Sequence, residues 1–86
     1  KFPLGNIFST PGVIQSIPHQ EIVDALMRHA SGDWGDLDPE DKQANDDAIL
    51  HGGRILSAYT SSDGIRFWII TEADRSMTTI LLPEEY

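Results

Sequence analysis

Three apolar runs in the last third of the chain constrain its fold more than any other feature. They occupy positions 54–61, 65–72 and 76–82 and are rich in β-branched and aromatic residues, which suit a pleated, half-buried surface. Asp63-Gly64 lies between the first two runs and favours a two-residue type I′ turn, whose central residues need positive φ. The runs therefore predict a three-stranded antiparallel meander.

The predicted turn also sets a register for the first hairpin. Counting outward from it gives the cross-strand pairs Tyr59–Trp68, Ser57–Ile70, Ala58–Ile69 and Thr60–Phe67. The middle strand carries large apolar side chains on both faces, so both faces of the sheet need cover. We expect helices on one face and another element or chain on the other. The second turn leaves the facing of the third strand open.

The first half of the chain predicts helices at about 11–17, 18–30 and 39–51. Thr10-Pro11 and Asp38-Pro39 are typical helix openings, because the first residue caps the helix and proline suits its first position. A short strand at 4–8 is expected to pair with an edge of the meander. Helices followed by a sheet indicate an α+β fold, and the length predicts one small domain spanning 1–86.

Charge and composition narrow the function. The chain has 86 residues, no cysteine and a formal net charge of −8. An acidic surface repels phosphate backbones, so direct nucleic-acid binding is disfavoured. No run reaches the roughly 18 apolar residues of a membrane span, and we expect a cytoplasmic protein without cofactors. The expected partners are another protein or a second copy in a homodimer.

Four motifs carry a resemblance to a known family. They are GDWGDL at 32–37, RILSAY at 54–59, WIITEADRS at 68–76 and TTILLPEEY at 78–86. The chain resembles a family of small bacterial proteins described as plasmid-related or hypothetical. The resemblance covers nearly the whole chain and implies a bacterial origin and carriage on mobile elements, but it implies no activity and no catalytic residues. The restriction-modification label of some relatives does not suit a chain this short.

One hypothesis is an enzyme, specifically an RNase-like toxin. Small bacterial ribonucleases share the layout of helices followed by an antiparallel sheet, although no motif matches them. The candidate catalytic residues are His29, Arg54, Glu72 and Arg75, which would supply an acid–base pair and a phosphate clamp. The alternative is a histidine at the edge of the core and a surface ion-pair network at one end of the hairpin.

Five other residues are candidates for binding: Trp34, Asp33, Asp36, Tyr59 and Trp68. Trp34 is either an exposed anchor for a partner or a plug of the core's edge. Turn and capping roles explain Asp33, Asp36 and Asp38 better than a calcium loop, and no zinc spacing is present, so no metal site is predicted. Asn45 is expected to act as a buried hydrogen-bonding brace.

Two hypotheses remain beside the enzyme. The first, which we favour, is a non-enzymatic protein–protein interaction module whose second sheet face packs against another chain. The second is an anti-restriction or counter-defence protein whose carboxylates imitate the phosphates of a nucleic acid. The first predicts an exposed apolar surface, and the second predicts acidic side chains ordered along one ridge at phosphate spacing.

Overall fold

The computed structural model describes residues 1–86 and confirms the α+β architecture. Its elements are β1 (Asn6–Ser9), α1 (Pro11–Ser16), α2 (His19–Ser31), α3 (Pro39–His51), β2 (Ile55–Thr60), β3 (Arg66–Thr71), β4 (Met77–Leu81) and a 3₁₀ helix (Pro83–Glu85). The helix openings are also as predicted, because the Thr10 side chain accepts from Val13 N–H and Asp38 accepts from Asp41 N–H at 2.9 Å. The 3₁₀ helix was not predicted.

The four strands form one mixed sheet in the order β1–β4–β3–β2. The last three strands make the predicted antiparallel meander. β1 lies parallel to β4, with Ile7 paired to Thr78 and Phe8 to Thr79, which confirms that the N-terminal strand joins an edge of the meander. The two edges of the sheet are therefore β1 and β2.

The predicted register of the first hairpin is wrong by one residue. Tyr59 pairs with Phe67 instead of Trp68, and Ser61 N–H donates to the Ile65 carbonyl at 2.9 Å. The loop thus contains the three residues 62–64, of which only Gly64 has positive φ (81°). This is the geometry of a type I turn followed by a bulge, and not of the type I′ turn that Asp63-Gly64 favours.

A contact with α2 accounts for the wider loop. The Glu21 carboxylate accepts two hydrogen bonds from Ser62, at 2.8 Å from the backbone N–H and at 2.6 Å from the hydroxyl. These bonds also lower the pKa of Glu21, because they stabilise its charged form. The local turn preference of the sequence is therefore overridden by a residue 41 positions away.

The one-residue shift exchanges the two faces of β2 relative to the prediction. One face, which we call the helix face, carries Tyr59, Phe67, Ile69 and Ile80. It packs against α1 through Val13 and the C-cap residue Ile17, and against α2 through Ile22 and Ala25. The opposite face, the outer face, carries Trp68, Ile70 and Leu81. The sequence did not determine which face of the sheet the β4 side chains occupy; in the structure Ile80 lies on the helix face, in the core.

The outer edge of β2 is closed by other parts of the chain. The Asn45 side chain of α3 donates to the Leu56 carbonyl at 2.7 Å and accepts from the Leu56 N–H at 3.1 Å, which confirms the predicted brace. Ala58 is paired in the same way by the loop before α3: its carbonyl accepts from Asp36 N–H at 2.7 Å and its N–H donates to Trp34 at 3.3 Å. We call the outer edge of β2 the closed edge.

The C-terminal segment reaches the outer face. After the 3₁₀ helix, the Tyr86 ring meets Trp68 edge-on at 5.9 Å between ring centroids, and its hydroxyl accepts a hydrogen bond from Arg54 at 2.8 Å. Glu85 holds the segment to the other end of the sheet, because its carboxylate accepts from the Gly12 N–H at 3.1 Å. An element of the chain itself thus covers part of the outer face.

Candidate functional site

His29 lies on the helix face and is fully buried, 0% exposed. Its Nδ1 is bonded to the Ser57 hydroxyl and its Nε2 to the Thr71 hydroxyl at 2.9 Å. Thr71 and Thr78 are bonded at 2.7 Å, and the Thr78 hydroxyl donates to the Leu4 carbonyl at 2.7 Å. The network thus links α2 to three strands and to the segment before β1.

The direction of this network fixes the state of the histidine. Because Thr78 donates to the Leu4 carbonyl, it accepts from Thr71, and Thr71 in turn accepts from the Nε2–H of His29. Nδ1 is then the acceptor of the Ser57 proton. Burial lowers the pKa of His29 to about 4, since it disfavours the charged ring. A neutral, fully bonded and inaccessible histidine has a structural role.

Arg54 and Glu72 lie on the opposite side of the sheet. Side chains alternate along a strand, so Arg54 and Glu72 share the outer face with Leu56 and Ile70, whereas Ser57 and Thr71, which bind His29, share the helix face. Arg54 and Glu72 form an exposed ion pair with 3.3 Å between Nε and Oε1. The structure brings these two together and separates them from His29 by the thickness of the sheet.

The fourth catalytic candidate, Arg75, closes the end of α3. Its guanidinium donates to the carbonyls of Ala48 at 2.9 Å and Gly53 at 2.6 Å. Arg75 is also the one non-glycine residue with positive φ (61°), a conformation that lets the side chain turn back toward α3. The same guanidinium donates to the Glu72 carbonyl at 3.1 Å. The predicted catalytic set is therefore divided in two: Arg54, Glu72 and Arg75 lie near the second hairpin, and His29 lies on the opposite side of the sheet from the Arg54–Glu72 pair.

Two of the predicted binding residues belong to the core. Trp34 is 4% exposed and its indole N–H donates to Asp46 at 3.1 Å, while Tyr59 is 2% exposed and its hydroxyl donates to the Asp33 carbonyl at 2.7 Å. Burial raises the pKa of Tyr59 to about 12. The interpretation of Trp34 as a plug of the core is thus the one that the structure favours over an exposed anchor.

The remaining binding candidates are engaged within the fold. Asp33 is paired with Arg28 at 2.8 Å, and the hydrogen bond from that guanidinium holds the pKa of Asp33 below its usual range. Asp36 accepts from the Thr60 hydroxyl at 2.9 Å. Trp68 is half-buried on the outer face beneath Tyr86. These three side chains are thus held by contacts within the fold itself.

Several acidic residues have structural roles within the fold. Asp38 caps α3, Asp46 binds the Trp34 indole, and Glu21 and Glu85 hold the hairpin loop and the C-terminal segment. No group of three or more His, Asp or Glu side chains is arranged to hold a metal ion. None of the helices combines the length and the apolar character needed to cross a bilayer.

One exposed apolar surface lies in a part of the chain that the motifs do not include. From Phe2 to Gln20 there is no Asp, Glu, Lys or Arg, although these residues make up 23% of the chain. This stretch contains β1 and α1, and it exposes Ile7 at 48%, Phe8 at 52% and Ile14 at 65%. The absence of charge over nineteen positions was the signal that could have found this surface.

An apolar groove runs between β1 and the two helices of the helix face. Its volume is about 320 Å³. The groove is lined by Ile7, Ser9, Ile14, Ile17, His19, Ile22, Val23, Leu26 and Ile80. Ligand and partner sites are concave and mostly apolar with a few polar groups, and this groove has that character.

The backbone along this groove is unpaired on its outer side. Asn6 N–H donates to the Ser76 carbonyl and Thr10 N–H to the Ile80 carbonyl, each at 3.0 Å. Because bonding groups alternate along a strand, Ile7 and Ser9 direct their N–H and C=O groups away from β4, where no other strand lies. We call this side of β1 the open edge, and the open edge together with the apolar groove the open-edge surface.

The comparisons with known proteins add no family to this description. No protein-family model matches the chain, and searches of curated proteins and of solved structures give no significant match. Function is therefore inferred from the geometry of the chain itself.

Proposed function

We propose that this protein is a non-enzymatic protein–protein interaction module that binds its partner through the open-edge surface. The observation that carries this proposal is the coincidence of three properties in one place: exposed apolar side chains, an apolar groove, and backbone groups without partners. Monomeric proteins rarely expose a contiguous apolar surface next to an unpaired strand without a partner for it.

The arrangement of the polar groups supports the same proposal. His29 is neutral and enclosed, Arg75 bonds the end of α3, and Arg54 bonds Glu72 and Tyr86 on the outer face. A catalytic acid or base has to lie within hydrogen-bond reach of its substrate, at roughly 3 Å from the reacting atom. The uncharged open-edge surface, in contrast, has the composition of the centre of a protein interface.

A capture experiment with three versions of the protein tests this proposal. Immobilised wild type, Ile14→Asp and Leu50→Asp are exposed to a bacterial lysate, and the retained proteins are quantified by mass spectrometry. Both residues are exposed, at 65% and 77%, but only Ile14 lines the groove. We expect Leu50→Asp to retain what the wild type retains and Ile14→Asp to lose it. Equal retention by all three versions, together with a wild-type chain that does not self-associate at any concentration, would contradict the proposal.

We further propose, on the resemblance to plasmid-related proteins, that the module works in the bacterial cytoplasm and is carried on mobile elements. Cell fractionation tests the compartment, and the genes that flank this one in several genomes test the carriage. Recovery in a membrane fraction, or a constant chromosomal setting, would count against it.

A further inference from the structure

We propose that the partner of the open edge is a second copy of this chain, bound through antiparallel pairing of the two β1 strands across a twofold axis at Phe8. This inference rests on the proposed function and specifies its partner. It turns two four-stranded sheets into one continuous sheet of eight strands. Addition of a strand to an exposed sheet edge is a common mode of protein recognition.

The spacing of the free backbone groups selects the register. Ile7 and Ser9 each direct one N–H and one C=O outward, and residues that exchange both hydrogen bonds lie opposite each other in an antiparallel pair. Pairing Ile7 with Ser9 of the second copy, and Ser9 with Ile7 of the second copy, satisfies all of these groups at once. The twofold axis then passes between the two Phe8 residues.

The side chains suit this register on both faces. Phe8 lies on the outer face, and in the proposed pairing it meets Phe8 of the second copy at a non-hydrogen-bonded position, where side chains approach most closely. Aromatic pairs at such positions are stabilising. Ile7 of the second copy lies beside Ser9, which lines the groove, and so faces the apolar wall formed by Ile14 and Val23.

The distribution of charge favours a second copy over a basic partner. Each copy carries a net charge of −8, so two copies repel wherever their acidic side chains face each other. The open edge belongs to the stretch from Phe2 to Gln20, which has no Asp, Glu, Lys or Arg, so pairing of the two β1 strands brings no like charges of the strands themselves together. A basic partner would be drawn instead to acidic surfaces such as α3, whose first turn contains Glu40 and Asp41.

The proposed dimer is expected to be reversible. An interface of standard size covers about 800 Å² per partner, which corresponds to about a sixth of the 4902 Å² of accessible surface of this chain. Strand pairing over four residues with one groove on each side lies at or below that size, and contacts of that kind bind weakly. Association should therefore depend on concentration. It should also strengthen as salt screens the net charge, whereas binding of a basic partner would weaken.

Sedimentation equilibrium of the full chain tests the association. We expect the weight-average mass to rise from 9.6 kDa toward twice that value with concentration, and more steeply at high salt. Ile7→Lys and Ser9→Pro, which place a charge on the edge and remove an outward N–H, should weaken association about tenfold or more. Leu50→Lys, at an exposed site on α3, should leave it unchanged. Far-UV circular dichroism establishes that each variant is folded.

Single cysteines test the register, because the chain has none of its own. With the axis at Phe8, the two Cα atoms at position 8 lie about 4.5 Å apart, within the range for a disulfide. In a glutathione buffer Phe8→Cys should therefore form a disulfide dimer at least about tenfold faster than Ile7→Cys, whose diagonal separation of about 7–8 Å is too long. Faster cross-linking of Ile7→Cys would overturn the register.

The outcomes separate this inference from the proposed function. A wild-type chain that stays monomeric at every concentration and salt level overturns the second-copy inference. If Ile14→Asp still loses proteins that the wild type captures, the proposed function survives that result with a different partner. If no dimer forms and capture is indifferent to Ile14→Asp, both fail.

Discussion

The two edges of the sheet are treated in opposite ways. At the closed edge, Leu56 is paired by the Asn45 side chain and Ala58 by the backbone of Trp34 and Asp36. At the open edge, the corresponding groups of Ile7 and Ser9 face outward without a partner. One sheet therefore ends in an edge where the chain itself pairs Leu56 and Ala58, and in an edge that it leaves available.

The difference shows that side chains and loops of this chain pair one edge of the sheet and leave the other edge unpaired. Proteins commonly protect an edge strand with lysine, proline, a bulge or a covering loop. The sequence Asn-Ile-Phe-Ser of β1 contains neither lysine nor proline. Ile7 and Phe8 expose apolar side chains on the two faces of the sheet. An unprotected edge beside an apolar groove is best explained by an occupant.

Opening the closed edge should have the largest effect on stability. Gly35 has a φ of 74°, and a Cβ at this position would lie 2.0 Å from the Ala58 carbonyl oxygen. Gly35→Ala should therefore displace the loop before α3 from Ala58 and lower the free energy of unfolding by about 3–4 kcal/mol. Urea titration measures this change. Gly64→Ala is the control, because its φ is 81° but no atom lies within 4 Å; it should cost about 1 kcal/mol. Equal costs would contradict the packing of this edge.

Acid should act through His29, which anchors α2 to β2 on the closed-edge side. The folded state keeps the ring neutral to a pKa of about 4, whereas the unfolded chain takes up a proton near pH 6.5. The contribution of neutral His29 to the free energy of unfolding is complete above pH 6.5. It should fall by about 2–3 kcal/mol between pH 6.5 and 4.5. Urea titration across this range measures it.

A variant without the titratable ring isolates this contribution. His29→Gln removes the proton uptake of the ring, so its free energy of unfolding should be lower than that of the wild type but should fall less from pH 6.5 to 4.5. The fall that remains in the variant comes from carboxylates with lowered pKa values, such as Glu21 and Asp33. If the wild type falls no more than the variant, His29 is not held neutral by burial.

The side-chain brace of the closed edge gives the next effect. Asn45→Ala removes both partners of Leu56 at a buried position and should cost about 2 kcal/mol in a urea titration followed by tryptophan fluorescence. Gln43→Ala, which removes only an exposed bond to Asp47, should cost less than about 0.5 kcal/mol. If Asn45→Ala leaves the free energy of unfolding unchanged, water or another group pairs this edge equally well.

The smallest effect on folding is expected at the open edge. Ile7→Lys changes an exposed side chain that loses no hydrogen bond, so the free energy of unfolding at low protein concentration should change by less than about 0.5 kcal/mol. The same substitution should abolish the concentration dependence of the unfolding midpoint that a dimer produces. A large loss of stability in the dilute monomer would instead identify Ile7 as a core residue.

Local signals in the sequence were sufficient for the three α-helices and the four strands, whose ends lie within two residues of the predicted ones. The Thr10-Pro11 and Asp38-Pro39 openings, the three β-rich runs and the Asn45 brace are all present as predicted. The register was not, because Glu21 selects a wider loop through a contact between distant parts of the chain. Local pattern determines which segments are strands, but tertiary contacts decide which faces of those strands meet.

The site was predicted less well for the same reason. Whether His29, Arg54 and Glu72 converge depends on which face of each strand is buried, and one residue of register reverses that. The structure favours the structural roles of His29 and Trp34, because both side chains are enclosed by aromatic and polar groups. One of these groups is the Phe2 ring, whose centroid lies 5.2 Å from that of His29. The uncharged stretch was visible in the sequence, but only the sheet order reveals that it forms an unpaired edge.

Amide hydrogen exchange resolved by residue tests the contrast between the two edges most directly. In dilute solution, the amides of Leu56 and Ala58 should be protected and those of Ile7 and Ser9 should exchange rapidly. At high protein concentration, Ile7 and Ser9 should become protected while Leu56 and Ala58 stay unchanged. Exchange at Ile7 and Ser9 that remains fast at every concentration, or that is already slow in the dilute monomer, would contradict an open edge that a second copy completes.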